Sequence, residues 1–329
     1  MLAGGRRASG YERRRVRLLL SILLVLIFVP PWTGEVRLPL LDRDAKLKAT
    51  ALKVAQRRWG ALTLVGVWRL NSEAPAFGGF SAIALQRGRL VLLNDGGNWV
   101  SFAIRGGRPV DARAGYLPDG PRIGWEKKDR DSESLVMDPR TGRAWIGFES
   151  ANAIWRYAPG FRRAEGQVRP QGMRRWRQNG GPESMARLPD GRFVVIAERG
   201  PKRRLPRPGL IFGCDPTLGC APQRFGYRPP AGYDPSDAAA LPNGDLLVLT
   251  RQWRFPVRFT AKLTLVRHTD LRAGRVARGR EIATLDGPLA ENWEGLAVSR
   301  EGGRTVLWMV SDEDQPLVQR TLLAKFRLD

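Results

Sequence analysis

The chain has 329 residues, 43% of them apolar, and its 37 glycines and 24 prolines are scattered among short apolar runs. This supplies a large core, argues against disorder, and favours an all-β fold with many tight turns over a linker. Bases outnumber acids 55 to 32, a formal net charge of +23 that attracts phosphorylated substrates, acidic lipid headgroups or nucleic acid. No helix-turn-helix, zinc-finger or RNA-recognition pattern turns that charge into base reading, so nucleic acid is not an expected partner.

At the amino terminus, Arg13-Arg14-Arg15-Val16-Arg17 precedes an apolar run over 18–29 and then Pro30-Pro31-Trp32. A basic flank followed by about a dozen apolar residues is the layout of a secretory signal. No small-x-small cleavage pattern follows, and the run is short of the roughly twenty residues of a membrane span. The expectation is export to the periplasm, with residues 1–34 acting as a cleaved signal or as an inner-membrane anchor with its basic end in the cytoplasm. An anionic membrane surface joins the expected partners. Residues 35–60 read as a tether, with helical composition over 42–58.

The body, 61–329, opens with a strand candidate at 61–68 and then repeats a short pattern five times. The copies are Ser81-Ala82-Ile83-Ala84-Leu85, Glu133-Ser134-Leu135-Val136-Met137, Glu183-Ser184-Met185-Ala186-Arg187, Asp237-Ala238-Ala239-Ala240-Leu241 and Glu294-Gly295-Leu296-Ala297-Val298. Each is followed by a glycine-bearing turn and an apolar strand, and they recur about every fifty to sixty residues, the period of propeller blades. Counting repeats gives a five-bladed β-propeller, or six blades if 150–180 and 255–290 conceal a further sheet. Too little chain follows Glu294 for a whole repeat. A last blade made from the final strand candidate, 319–328, and the first one closes the ring and removes exposed sheet edges. Between the third and fourth copies, Cys214 and Cys220 bracket a turn-rich stretch. In an exported protein they read as a disulfide.

Within a blade the innermost strand runs from one face to the other and the next strand returns. A residue before the first and one after the second therefore share a face. The second positions are Asn94-Asp95, Glu149, Glu198, Arg251 and Ser311-Asp312-Glu313-Asp314, so two mostly acidic sets are expected at one mouth of the channel. Clustered carboxylates repel unless a cation, an arginine or a shared proton offsets them. Calcium, which takes six to eight oxygen ligands in irregular geometry, is the best-matched metal, and it would also orient a phosphate. Pairing of these acids with arginines as staples between blades is the alternative. The single histidine, His268, excludes a histidine cluster, and no Gly-x-Ser-x-Gly elbow, Walker loop or Rossmann fingerprint occurs.

Several segments together resemble the phytase-like domain family, described as "esterase-like activity of phytase" and common in exported bacterial proteins. They are Gly79-Phe80-Ser81-Ala82-Ile83, Asn94-Asp95-Gly96-Gly97, Asp131-Ser132-Glu133-Ser134-Leu135, Gly147-Phe148-Glu149, Pro182-Glu183-Ser184-Met185 and Glu291-Asn292-Trp293-Glu294-Gly295-Leu296. The resemblance covers roughly 60–329. It implies phosphodiesterase- or esterase-like activity and carries over Asp95, Glu133, Glu149, Glu183, Glu294 and Asp312 as site residues. Asp237 joins them on the repeat pattern.

The expected reaction is calcium-assisted hydrolysis of an anionic phosphoester. Glu133, Glu183 and Glu294 would hold metal or water, and Arg251 would orient the anion. Ser81 and Arg251 depart from the acidic pattern, so the metal site is expected to lean on the second, third and fifth repeats. A calcium-dependent lactonase using Asn94 and Asn292, or a non-enzymatic envelope-binding propeller, are the rival readings.

Overall fold

The strand–turn–strand repeat becomes five sheets of four to six strands, all antiparallel except for one added strand in the third. A computed structural model describes residues 8–28, 39–41, 43–44, 46–124, 126–200, 205–255, 258–312 and 320–329. Expectations that fall on 29–34, on Glu313-Asp314 and on Gln319 lie outside the described residues. The chain divides into two units, 1–37 and 38–329. The first contains a helix, Ala8–Phe28, along which Leu18, Leu19, Leu23 and Leu24 are exposed. Among the described residues no helix is long and apolar enough to cross a membrane.

In the second unit the innermost strands are Phe80–Gln86, Ser132–Met137, Ser184–Arg187, Asp234–Ala240 and Trp293–Glu301. Each packs against the innermost strands of both neighbouring blades, so the five form a closed ring. The fifth blade continues through Arg304–Ser311 and Thr321–Leu328 to Leu62–Asn71 from the start of the body, with Leu323 opposite Trp68. The blade count is five. The 150–180 stretch supplies the outer strands of blade two, Ala153–Tyr157 and Ala164–Val168. The 255–290 stretch supplies Arg258–Val266 and Arg280–Leu285 of blade four, and lends Val276–Arg278 to blade three.

The core is divided among the five gaps between blades. Ala82, Ala84, Leu93, Leu135 and Ile146 fill the gap between blades one and two. From the same strand, Ile83 points the other way and packs with Val310 and Ala297 of blade five. Because successive side chains serve opposite neighbours, a blade's inner strands must be apolar at both parities. That is why Phe193–Ile196 and the start of Leu246–Arg254 read as unbroken apolar runs.

The helical composition of 42–58 is overridden. Lys48–Ala51 and Arg58–Trp59 are strands that pair with Leu62–Asn71, Leu41 and Trp59 are buried, and the backbone of Leu41 donates to Asn98 Oδ1 at 2.9 Å. Helix propensity is worth only tenths of a kcal/mol per residue and yields to sheet pairing and burial. The segment is thus part of the body rather than a plain tether. The disulfide Cys214–Cys220 is present, with a Cα–Cα distance of 6.1 Å, and it closes the loop around the short helix Pro216–Leu218.

Candidate functional site

A bulge at the head of the innermost strand aims the key side chains. Cross-strand pairing skips Ser81, Glu133, Ser236 and Glu294 in blades one, two, four and five, and Glu183 directly precedes the strand in blade three. An extra residue in a ladder bends the strand and re-aims its own side chain. In blade five the following residue is Gly295, where a Cβ would lie 2.9 Å from the backbone nitrogen of Ile83, so the glycine lets blades five and one approach.

Ser81, Glu133, Glu183 and Glu294 line a cavity of about 190 Å³ at one mouth of the ring. Asp95, Glu149, Glu198, Arg251 and Asp312 line it from the returning strands, as expected from the second register, and Lys127, Asn179 and Arg199 complete the wall. Seven acids thus face three bases, inside a protein whose net charge is +23.

Asp237 does not join them. The bulge falls on Ser236, and a one-residue slip sends a strand side chain to the opposite face. The Asp237 carboxylate, 1% exposed, accepts the backbone N–H of Leu296 at 2.7 Å and that of Ala238 at 2.7 Å. Ser236 Oγ, beside it, donates to the Trp293 carbonyl at 3.0 Å. Asp237 is therefore a staple between blades four and five, made through backbone N–H groups and not through an arginine.

Four of the cavity acids, with Asp131, form two triads that share Glu149, Asp131–Glu133–Glu149 and Glu149–Glu183–Glu198, within each of which carboxylate oxygens lie within 4.8 Å of one another. These belong to blades two and three. Glu294, the expected contribution of blade five, instead meets Arg251 Nη1 at 2.7 Å. The same Nη1 donates to Asn292 Oδ1 at 3.1 Å, and Nη2 lies 3.5 Å from Glu198. Arg199 pairs with Glu198 at 3.0 Å, and Lys127 pairs with Asp95. Asn94 is committed to the backbone, donating to the carbonyls of Ala76 and Gly78 and accepting from the Asn98 N–H.

Proton affinities follow from enclosure and crowding. Glu133 opens onto the cavity yet is surrounded by protein. Loss of solvent, then the charges of Glu149, Asp131, Asp95 and Glu294, push its carboxyl well above the usual range. Burial, followed by Glu133, Glu198 and Glu149, does the same to Glu183, against the pull of Arg251. Glu149 is raised to about 7, chiefly by burial, with Asp131 and Glu198 adding to it while hydrogen bonds from Glu183 and the Gly181 N–H oppose it. Glu198 is raised by burial despite Arg251 and Arg199.

Glu198 sat at the second register in the sequence and belongs to the site. Asp131, Lys127, Asn179 and Arg199 carried no repeat signal. Asp131, Lys127 and Asn179 come from the segments between blades, and Arg199 from the loop between the second and third strands of blade three.

These features define a five-bladed propeller whose blades converge acids on one mouth of the axis. Residues 75–315 match the family model described as Phytase-like, esterase-like activity of phytase, and the chain belongs to that family. No curated protein matches its sequence. Among solved structures it is similar to an endo-arabinase from Bacteroides thetaiotaomicron, at 10% identity over 77% of this chain and 95% of that one, with a TM-score of 0.51. A glutaminyl cyclase from Myxococcus xanthus (11% identity, 77% and 92% covered) has a TM-score of 0.45. A gluconolactonase from Xanthomonas campestris (12% identity, 91% and 99% covered) has a TM-score of 0.42. At such identities the likeness is one of fold.

Proposed function

We propose that the protein is an exported hydrolase of anionic phosphoesters that works with a divalent cation, calcium, held in the acidic cavity. The observation that carries this reading is the imbalance of charge. Two carboxylate triads sharing Glu149 crowd a cavity with only three basic side chains on its wall. Such crowding is relieved by protons or by a metal. The donors are all oxygens, which suits calcium. Glu133, Glu149 and Glu183 would hold the ion, with Asp131 and Glu198 beside them. When bound, it would supply positive charge to a phosphate and acidify a coordinated water.

The chain's own groups suit the rest of the task. A carboxyl with an affinity near neutrality, Glu149, is matched to taking up or releasing a proton at working pH. Lys127 and Arg199 stand on the cavity wall where an anion would arrive. Arg251, held by Glu294, Asn292 and Glu198, is better suited to positioning those carboxylates than to meeting the substrate unaided. The lactonase reading loses Asn94, whose amide is engaged by backbone groups. Export rests on the basic residues ahead of the apolar run over 18–29, and the +23 charge supports placement near an anionic membrane surface.

The test is thermal unfolding of the full chain during calcium titration, beside a Glu133→Gln, Glu149→Gln, Glu183→Gln variant, with turnover of a phosphate monoester, a phosphodiester and a lactone. A ligand that binds only the folded form at a hundredfold excess over its Kd adds about 2.7 kcal/mol. A calcium-dependent rise lost in the variant, with phosphoester turnover, is the expected result. Absence of any shift and of turnover would leave a binding propeller as the better account.

A further inference from the structure

A ring of apolar side chains lies below the acidic cavity. Two positions along each innermost strand from the bulge register stand Ile83, Leu135, Met185, Ala238 and Leu296, all buried and all apolar. They belong to the lining of a second cavity, of about 740 Å³, which reaches the turns at the other end of these strands. Leu85, Met137 and Val298, half-buried, continue its wall. It also runs sideways between blades five and one, past Leu90, Ile104 and Trp308.

The charges here are opposite to those of the first mouth. Arg87, Arg187, Arg300 and Lys325 are on the lining, against a single acid, Glu301. Glu301 is bound to Lys325 at 2.6 Å, and Arg187 has Asp138 at 3.8 Å. Arg87 and Arg300 each donate only to a backbone carbonyl, of Arg140 at 3.1 Å and of Gly303 at 2.8 Å, with no carboxylate partner among the described residues. The apolar part of a concavity open to water forgoes about 25 cal/mol for each Å² left uncovered. A rim of arginines lacking acidic partners selects the charge of whatever covers it.

We propose that this cavity binds an amphipathic anion: an acyl chain along the apolar wall toward the junction of blades five and one, its carboxylate or phosphate head on Arg87 and Arg300. The site is separate from the acidic cavity and does not depend on the hydrolase reading.

The experiment is photo-crosslinking of the full chain with a twelve-carbon fatty acid bearing a diazirine near its tail, followed by peptide mapping. Mapping separates the cavity from the apolar helix Ala8–Phe28, which any amphiphile would coat. Labelling is expected on peptides carrying Leu90, Ile104 or Trp308, which line the tail's path. Laurate and dodecyl phosphate should compete, the relative strength of the two identifying the preferred head, and dodecyltrimethylammonium should compete at least about tenfold more weakly. Loss of one charge-assisted contact corresponds to roughly that factor, so the Arg87→Gln, Arg300→Gln variant should bind about tenfold more weakly or worse. Both arginines are exposed, so the variant should remain folded, as circular dichroism would verify. Met137→Trp, which narrows the cavity, should reduce labelling independently of charge. Labelling confined to the helix, equal competition by the cationic amphiphile, or undiminished labelling in the arginine variant would overturn the proposal.

Discussion

The Asp237 carboxylate and the Leu296 N–H meet at 2.7 Å across the junction of the fourth and fifth blades, away from the acidic cavity wall. Replacing Asp237 with alanine would strand two buried N–H groups, since Ala238 donates to the same carboxylate. Urea unfolding should show a loss of about 1–3 kcal/mol, the usual cost of an unsatisfied buried donor. Turnover by the folded fraction and its response to calcium should stay at the level of the parent. A selective loss of activity with unchanged stability would return Asp237 to the site.

Acidity should stabilise the metal-free protein. The carboxyl of Glu149 is raised from 4.5 to about 7, and those of Glu133 and Glu183 move the same way. The folded state then holds protons that the unfolded chain releases. The contribution is complete below about pH 4.5 and is lost as pH rises through about 7, on the order of 3 kcal/mol for a shift of that size. Thermal unfolding without metal should therefore show falling stability across this window. Saturating calcium should flatten or reverse the slope, because the ion takes the place of the protons.

Arg251→Gln removes the cation that meets Glu294 at 2.7 Å and lies 3.5 Å from Glu198. Stability without metal should fall by about 1–3 kcal/mol. Calcium affinity, read by calorimetry, should rise, because a competing positive charge has left the cavity. A higher KM with unchanged metal affinity would mean instead that Arg251 meets the substrate anion directly.

Reduction of Cys214–Cys220, or its replacement by serines, frees a loop whose ends are six positions apart. On chain-entropy grounds the loss is about 2 kcal/mol. Asp215 inside this loop accepts Trp145 Nε1–H at 2.8 Å and pairs with Arg156 at 2.6 Å. Fluorescence of Trp145 should therefore report the loosening while the acidic cavity keeps its metal response.

The blade repeat was legible because both faces of each inner strand must be apolar and each turn needs glycine, two demands that recur at fixed spacing. Ring closure was legible from chain left over at both ends of the body. The register of Asp237 was not, because a bulge is a property of pairing: Pro235-Ser236-Asp237 could place either residue at the mouth until Leu249 opposite Asp237 settles which. Lys127 and Arg199 were equally hidden. Among 55 basic residues, these two carry no signal until the fold sets them beside Asp95 and Glu198.

The pairing of Leu70 with Thr321 joins nearly opposite ends of the body. A contact that distant forms late, since its loop-closure entropy is met only after the intervening blades have condensed. Until then blade five has two bare edges, and Glu294 and Asp312 have no fixed place opposite Asp95 and Glu133. A chain that lacks its last strand can assemble the carboxylate triads of blades two and three but not the blade-five wall of the cavity. Competence arrives in one step, when the last strand docks beside the first.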